Sequence, residues 1–312
     1  MKKTLLVLSL IIFGILLDAC SSSVIRRDRY GRKSIRGRGS QKFVSSGIRK
    51  KVALLTFFNE APYGGQDLGI TATEELGREM SRTREFLVDP MVKKIFGSSK
   101  EIYAGGGSKL VQLSRKAKIS GINFVVFGRV LDARIREKTD EIGLVRQTKS
   151  YTESKVEVRI FDVNSNKEIF TDVIKGYADD SSYRFFRADR ESRLDYRRQL
   201  LRYAVKVAVR KVIPKILKVS SKLDWVGRVA KIIGSKIYVN AGRKSGVNVG
   251  DILKVMTEGA EIFDPETGAL IGVSKGEIKG TVEVIDYFGP DGAIGILHSG
   301  GSVLEGDFVQ LY

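Results

Sequence analysis

Two residue types that carry much protein chemistry are almost missing. The 312-residue chain has one cysteine, Cys20, and one histidine, His298. A lone cysteine excludes an internal disulfide and a cysteine-based zinc site, and a lone histidine excludes a His-rich metal site. A Ser–His–Asp assembly would have to take His298 as its base. Its neighbours Ser299-Gly300-Gly301 instead read as a surface loop. Gly105-Gly106-Gly107-Ser108-Lys109 lacks the G-x-x-x-x-G-K-[ST] spacing of a phosphate loop and offers at most a helix N-terminus to an anion. The acid pairs Glu74-Glu75 and Asp179-Asp180 read as solvated surface, and Asp264 and Asp291 as turn residues. Catalytic residues, metal and cofactors are therefore expected to be absent, and the chain is not expected to be an enzyme.

Acids are also few beside bases: 36 Asp and Glu against 54 Lys and Arg give a net charge of +18. The excess is concentrated near the start, where Arg26, Arg27, Arg29, Arg32, Lys33, Arg36 and Arg38 lead on to Lys42, Arg49, Lys50 and Lys51 with Asp28 as the only acid. Gly and Ser separate these residues and large apolar ones are scarce, so residues 20–50 are expected to form a disordered tether. The tether would be a solvated spacer or would touch a membrane surface or cell wall.

What precedes the tether says where the chain goes. Met1-Lys2-Lys3 is followed by an uncharged Leu-, Ile- and Val-rich run over residues 4–17, then by Ala19 and Cys20. This is the layout of a secretory signal, and the run is short of the ~20 apolar residues of a membrane span. Leu17-Asp18-Ala19-Cys20 resembles the lipobox of bacterial lipoproteins. The resemblance implies removal of residues 1–19 and palmitate-type acyl chains on Cys20, with Asp18 atypical at its position. Ser21 stands where an Asp would favour retention in the inner membrane. By the same resemblance the mature chain is expected on the periplasmic face of the outer membrane, away from nucleic acid. Beyond the signal, no second run is long and apolar enough to cross a bilayer as a helix.

The remainder is long enough for two domains at about 100–200 residues each. Residues 51–217 read as β-α-β-α-β-β-β-α. The run 52–58 is a doubly buried strand, residues 67–82 a helix, and 86–88 a short strand. Glycines 105–107 lead to Ser108 as the N-cap of a helix that ends at Gly121. Residues 124–131 form the strongest strand, and the charged stretch 134–149 should protrude or loop out. Val156, Val158 and Ile160 alternate with Glu157 and Arg159, giving a strand with one wet face, and residues 168–177 return as its hairpin partner. Leu201, Ala204, Val205, Ala208 and Val212 make a helix ending near Pro214. Residues 218–223 are the expected linker. Residues 224–312 alternate glycine-rich turns with short β runs (236–239, 252–255, 280–285 and 293–297), as in a small closed barrel. The fold class expected is an α/β (α+β) mixed-sheet domain with flanking helices, followed by a small all-β barrel.

Residues 51–217 resemble the CsgG-type envelope lipoproteins and the related TolB N-terminal-type domain. The pattern is Val52-Ala53-Leu54-Leu55-Thr56-Phe57, then Gly121-Ile122-Asn123-Phe124-Val125-Val126-Phe127-Gly128, then 156–162 with its hairpin. Residues 224–312 resemble the C-terminal domain of the flagellar assembly protein T family through Val239-Asn240-Ala241-Gly242, Gly246-Val247-Asn248-Val249-Gly250-Asp251 and Asp264-Pro265-Glu266-Thr267-Gly268. These resemblances imply a non-catalytic scaffold in a flagellar ring-type or other envelope complex. The partners would be the membrane, through the lipid, and envelope or flagellar proteins, with the chain oligomeric or part of a ring. The alternative is a CsgG-like oligomeric secretion pore, whose transmembrane hairpins would be residues 134–151 and 176–196. Their charge (Arg134-Ile135-Arg136-Glu137-Lys138 and Arg187-Ala188-Asp189-Arg190) opposes a lipid-facing band.

Overall fold

The computed structural model describes residues 47–89, 96–142, 145–179, 193–268 and 270–312, without the side chains of 137–150 and 193. The expected signal peptide, Cys20, Ser21 and the tether cations Arg26 to Arg38 lie outside the described residues.

Among the described residues, a mixed sheet and three helices form the first region. Strands β1 (Lys50–Leu54), β2 (Phe58–Asn59), β3 (Phe86–Val88), β4 (Phe124–Ile142), β5 (Val145–Asp162) and β6 (Lys167–Asp179) alternate with helices α1 (Asp67–Arg82), α2 (Ser99–Ile119) and α3 (Arg193–Ser220). The sheet order is β3-β1-β4-β5-β6, with β2 alongside β4. Pairings are parallel through β3, β1 and β4 and antiparallel from β4 to β6. β1 is apolar on both sides because both faces are covered. Val52 and Leu54 join the core under α1 and α3, while Ala53 and Leu55 join the core under α2.

Four expectations are corrected or narrowed. Of the two alternatives for the stretch 134–149, protruding or looping out, the loop is excluded, because β4 and β5 stay paired residue for residue to Ile142 and Val145. Glycines 105–107 do separate two helical stretches, which meet at Gly106, but the first of them, from Ser99, is not among the expected elements. α2 begins at Ser99, its N3 residue Glu101 accepts from the Ser98 N–H (3.2 Å), and only Gly106 leaves helical geometry (φ 58°, ψ −149°). α3 runs through Pro214 to Ser220, since Val212 and Ile216 on either side are fully buried against the sheet. Tertiary burial there outweighs the helix-breaking tendency of proline. Glu157, expected on a wet face, is 5% exposed.

The second region contains β7 (Gly227–Ile233), β8 (Lys236–Val239), β9 (Ile252–Met256), β10 (Glu261–Phe263), β11 (Leu270–Val273), β12 (Ile278–Phe288), β13 (Gly292–Gly300) and β14 (Phe308–Leu311). Six of them close an antiparallel barrel in the order β12-β13-β8-β7-β14-β9, and β10 and β11 form a separate two-stranded ribbon. Val229, Val239, Leu253, Val255, Val282 and Val309 fill the barrel. Ile48, which precedes β1 and lies within the expected tether, is buried in that same core. Among the described residues no helix is long and apolar enough to cross a membrane.

Candidate functional site

Three places gather polar or exposed apolar side chains. The first is on the α2 face of the sheet. Strand alternation puts Arg129 of β4 and Glu157 and Arg159 of β5 on one face, and α2 lays Tyr103 over them. Tyr103 Oη donates to Glu157 Oε2 (3.1 Å), as does Arg129 Nε (2.5 Å), while Arg159 Nη2 donates to Oε1 (2.7 Å). Both guanidinium groups lie over the Tyr103 ring, at 4.5 and 4.9 Å from its centroid, and Phe58 and Phe127 meet its edges. Burial alone would raise the Glu157 carboxyl, but hydrogen bonds from Arg159 and Arg129 override it and hold the pKa below the usual range. Burial, followed by the Glu157 charge, pushes the Tyr103 hydroxyl well up. A carboxylate with both oxygens engaged and a tyrosine held protonated are poor groups for proton transfer near neutral pH. The cluster fastens α2 to the sheet.

The second place is the seam between the two regions. Lys51 Nζ reaches Asp291 Oδ2 (3.1 Å) and the Asn240 carbonyl. Asp291 also accepts from the Gly242 N–H (3.0 Å), the Ser245 N–H (2.9 Å) and the Ser245 hydroxyl (2.5 Å). Burial opposes ionisation of Asp291, yet Ser245 and Lys51 outweigh it and keep its pKa below the usual carboxylate range. Asn123 accepts from the Lys51 N–H and donates to the Val226 carbonyl (3.0 and 2.9 Å). Gly246 has φ +84°, and a Cβ on it would lie 2.0 Å from the Gly47 carbonyl oxygen, so only glycine lets the barrel loop approach this closely.

The third place is a groove of about 890 Å³ lined by Tyr63, Ile135, Leu194, Leu201, Arg197 and Arg198. The loop before α1 presents Tyr63. Asn59 shapes that loop, accepting from the Ala61 N–H and donating to the Ala61 and Tyr63 carbonyls. Gly64 closes it with φ +86°, over the buried Leu68.

Of the residues singled out in the sequence, Asp264 caps a turn as expected, accepting from the Thr267 N–H (2.7 Å) and the Glu266 N–H (3.0 Å). Asp291 is more than a turn residue, because its partners come from β1 and a different barrel loop. Glu74 is exposed, but Glu75 is 1% exposed and bound by Arg78 and by Arg210 of α3. His298 lies on β13 rather than in a loop, 3.8 Å from Glu283. Among the described residues no group of three or more His, Cys, Asp or Glu could hold a metal ion. The Tyr103–Glu157 cluster escaped the sequence reading because its members come from three distant segments.

No protein-family model matches the chain, and no curated protein matches it. Solved structures found similar to part of the chain include the hypothetical protein CT253 from Chlamydia trachomatis (17% identity, TM-score 0.35, covering 55% of this chain and 97% of that one). Others are the lipoprotein GNA1162 from Neisseria meningitidis (15%, 0.30, 54% and 99%) and the LpoB C-terminal domain from Salmonella enterica (13%, 0.27, 41% and 82%). Likeness at this level says nothing about what the chain binds.

Proposed function

We propose that the chain is a lipoprotein held by acyl chains on Cys20 at the periplasmic face of the outer membrane, serving as a non-catalytic scaffold in an envelope assembly of flagellar ring type or another kind. The observation that carries this reading is Leu17-Asp18-Ala19-Cys20 behind two lysines and the apolar run 4–17. Acyl chains contribute about 0.8 kcal/mol per buried CH₂, and two or more give stable anchoring. Each tether cation adds only about 1 kcal/mol near an anionic surface. The cluster and the seam support the scaffold half of the reading: their charged groups are spent on holding elements together. Mild cross-linking in the producing cell followed by purification tests it. Recovery of envelope proteins with the chain is expected, and a monomer that captures none contradicts it.

One observation favours the pore as a second reading. The β4–β5 hairpin is long, 19 and 18 residues per strand, and paired to its end. Against it, the outer part of that hairpin carries Arg134, Arg136, Glu137, Lys138, Asp140 and Glu141, and a charge on the lipid face at mid-membrane costs about 2–4 kcal/mol. Of the other expected hairpin, residues 180–192 lie outside the described residues. Ion conductance in planar bilayers would favour the pore, and silence favours the scaffold.

A further inference from the structure

Two exposed apolar features lie at opposite ends of the sheet, and their net charges differ in sign. One is the β10–β11 ribbon, where Ile262, Phe263 and Ile271 are 47%, 52% and 52% exposed. Glu258, Glu261, Asp264 and Glu266 flank them; the nearby cations are Lys275, Lys167 beside Gly272, and Lys118 on Glu258, so it is the ribbon's tip, with Asp264 and Glu266, that is acidic. Its base is tied down: Glu258 accepts from Lys118 Nζ (2.8 Å) and Glu261 from Asn166 Nδ2 (3.2 Å). The tip, with Phe263 and Glu266, stays exposed.

The other feature is the groove. Its apolar lining comes from Tyr63, Ile135, Leu194 and Leu201; its charged lining is Arg197 and Arg198 against one acid, Asp67, with Asp67 paired to Arg202 and Arg198 to Asp195, so the lining is net basic. Tyr63 and Leu194 are 62% and 68% exposed. The first turns of α1 and α3 also contribute to it, and helix N-termini favour negative charge.

The two cannot meet within one molecule. Ile135, in the groove, pairs with Thr152 on β5. Asn166, at the base of the ribbon, follows the far end of β5 at Asp162. The strand between Thr152 and Asp162 spans about 33 Å at about 3.3 Å per residue. Apolar surface and charge are thus complementary only between copies. We infer that the β10–β11 ribbon of one copy seats its Phe263 tip in the Tyr63–Leu194 groove of the next, so that the chain assembles head to tail. A contact between two different surfaces closes into a ring or extends as a filament, and does not stop at a two-fold dimer. This names one partner within the assembly proposed above, a second copy of the chain.

The test uses the full chain in its own membranes, carrying Glu266→Cys and Arg198→Cys together. Both positions are exposed, so folding is undisturbed. Oxidation should give a ladder of dimers, trimers and larger species, with none from either single variant. Phe263→Asp in the double variant should lower the linked fraction about tenfold, equivalent to about 1.4 kcal/mol. A second measurement needs no cysteine. Arg198→Glu should weaken self-association in sedimentation, and adding Glu266→Arg should restore it. Monomers only, a ladder that survives Phe263→Asp, or linking by one single variant would each overturn the head-to-tail contact. Fractionation keeps the two proposals apart. A membrane-bound chain without a ladder sinks this contact alone, whereas a ladder from chain in the soluble fraction sinks the anchor alone.

Discussion

The sheet region and the barrel solve burial differently. The sheet region has a core on each face and packs Phe57, Phe124 and Phe127 there, each no more than 2% exposed. Of its buried carboxylates, Glu75 and Glu157 are each paired with two arginines. Among the described residues the buried core of the barrel is built from Val, Ile, Leu and Ala, with the one aromatic, Trp225, only partly buried against it. One of those core residues, Ile48, comes from ahead of β1, and Lys51, three residues on, holds the barrel loop at Asp291. The sheet region supplies its own core; the barrel completes its core with a segment from its neighbour. The seam should therefore govern how independently the barrel unfolds.

The largest expected effect is in the sheet. Phe124→Ala should cost about 3–5 kcal/mol in denaturant unfolding, through lost burial and the cavity left behind. A cost below about 1 kcal/mol would mean that the ring is not the close-packed centre described. The intermediate effect is at the seam. Asp291→Ala leaves Lys51 and the Gly242 and Ser245 donors without their acceptor, at about 1–3 kcal/mol. It should also split one cooperative unfolding transition into two, with the barrel melting first by calorimetry. A single transition shifted as a whole would show that the barrel does not lean on the seam.

The smallest effect is a pH dependence. Glu157 and Asp291 both have folded-state pKa values below their ordinary ones. In acid the unfolded chain binds protons more readily at these groups, so their stabilisation is complete above the ordinary carboxylate range of about 4. It is lost as pH falls through the depressed values. Glu157→Gln should therefore flatten the acid limb of stability against pH while leaving the slope above about pH 5 unchanged. An unchanged acid limb would remove Glu157 as a contributor.

Much of this comparison is legible in the sequence, and the exceptions have physical causes. The run 52–58 announces a doubly covered strand because no polar residue interrupts it until Thr56, but β1 ends at Leu54 and Phe58 passes to the separate strand β2. Helix α1 falls within the expected bounds because Ala72, Leu76 and Met80 keep helical spacing. The barrel strands stand out between glycine turns; β8 matches residue for residue. Alternation along β5 tells which residues share a face, but not that Tyr103, 54 positions earlier, covers it. Glu75 looks like any helix-surface acid until α3 brings Arg210 beside it, 135 positions away. Ile48 reads as an isolated apolar residue in a basic stretch, since its pocket is built from strands some 200 positions later. In each case the missing information is a long-range contact, which local pattern does not carry.

The measurement that bears most directly on the proposed role is the membrane partition of Cys20→Ala. The basic residues between Arg26 and Lys51 remain in that variant, and salt screens their attraction to a surface over a Debye length of about 8–10 Å. Acyl burial is not screened. The wild-type chain should stay in the membrane fraction after a high-salt wash, while Cys20→Ala leaves it. A Cys20→Ala chain that is exported, cleaved and still membrane-bound in high salt would place the anchor elsewhere and contradict the lipoprotein reading.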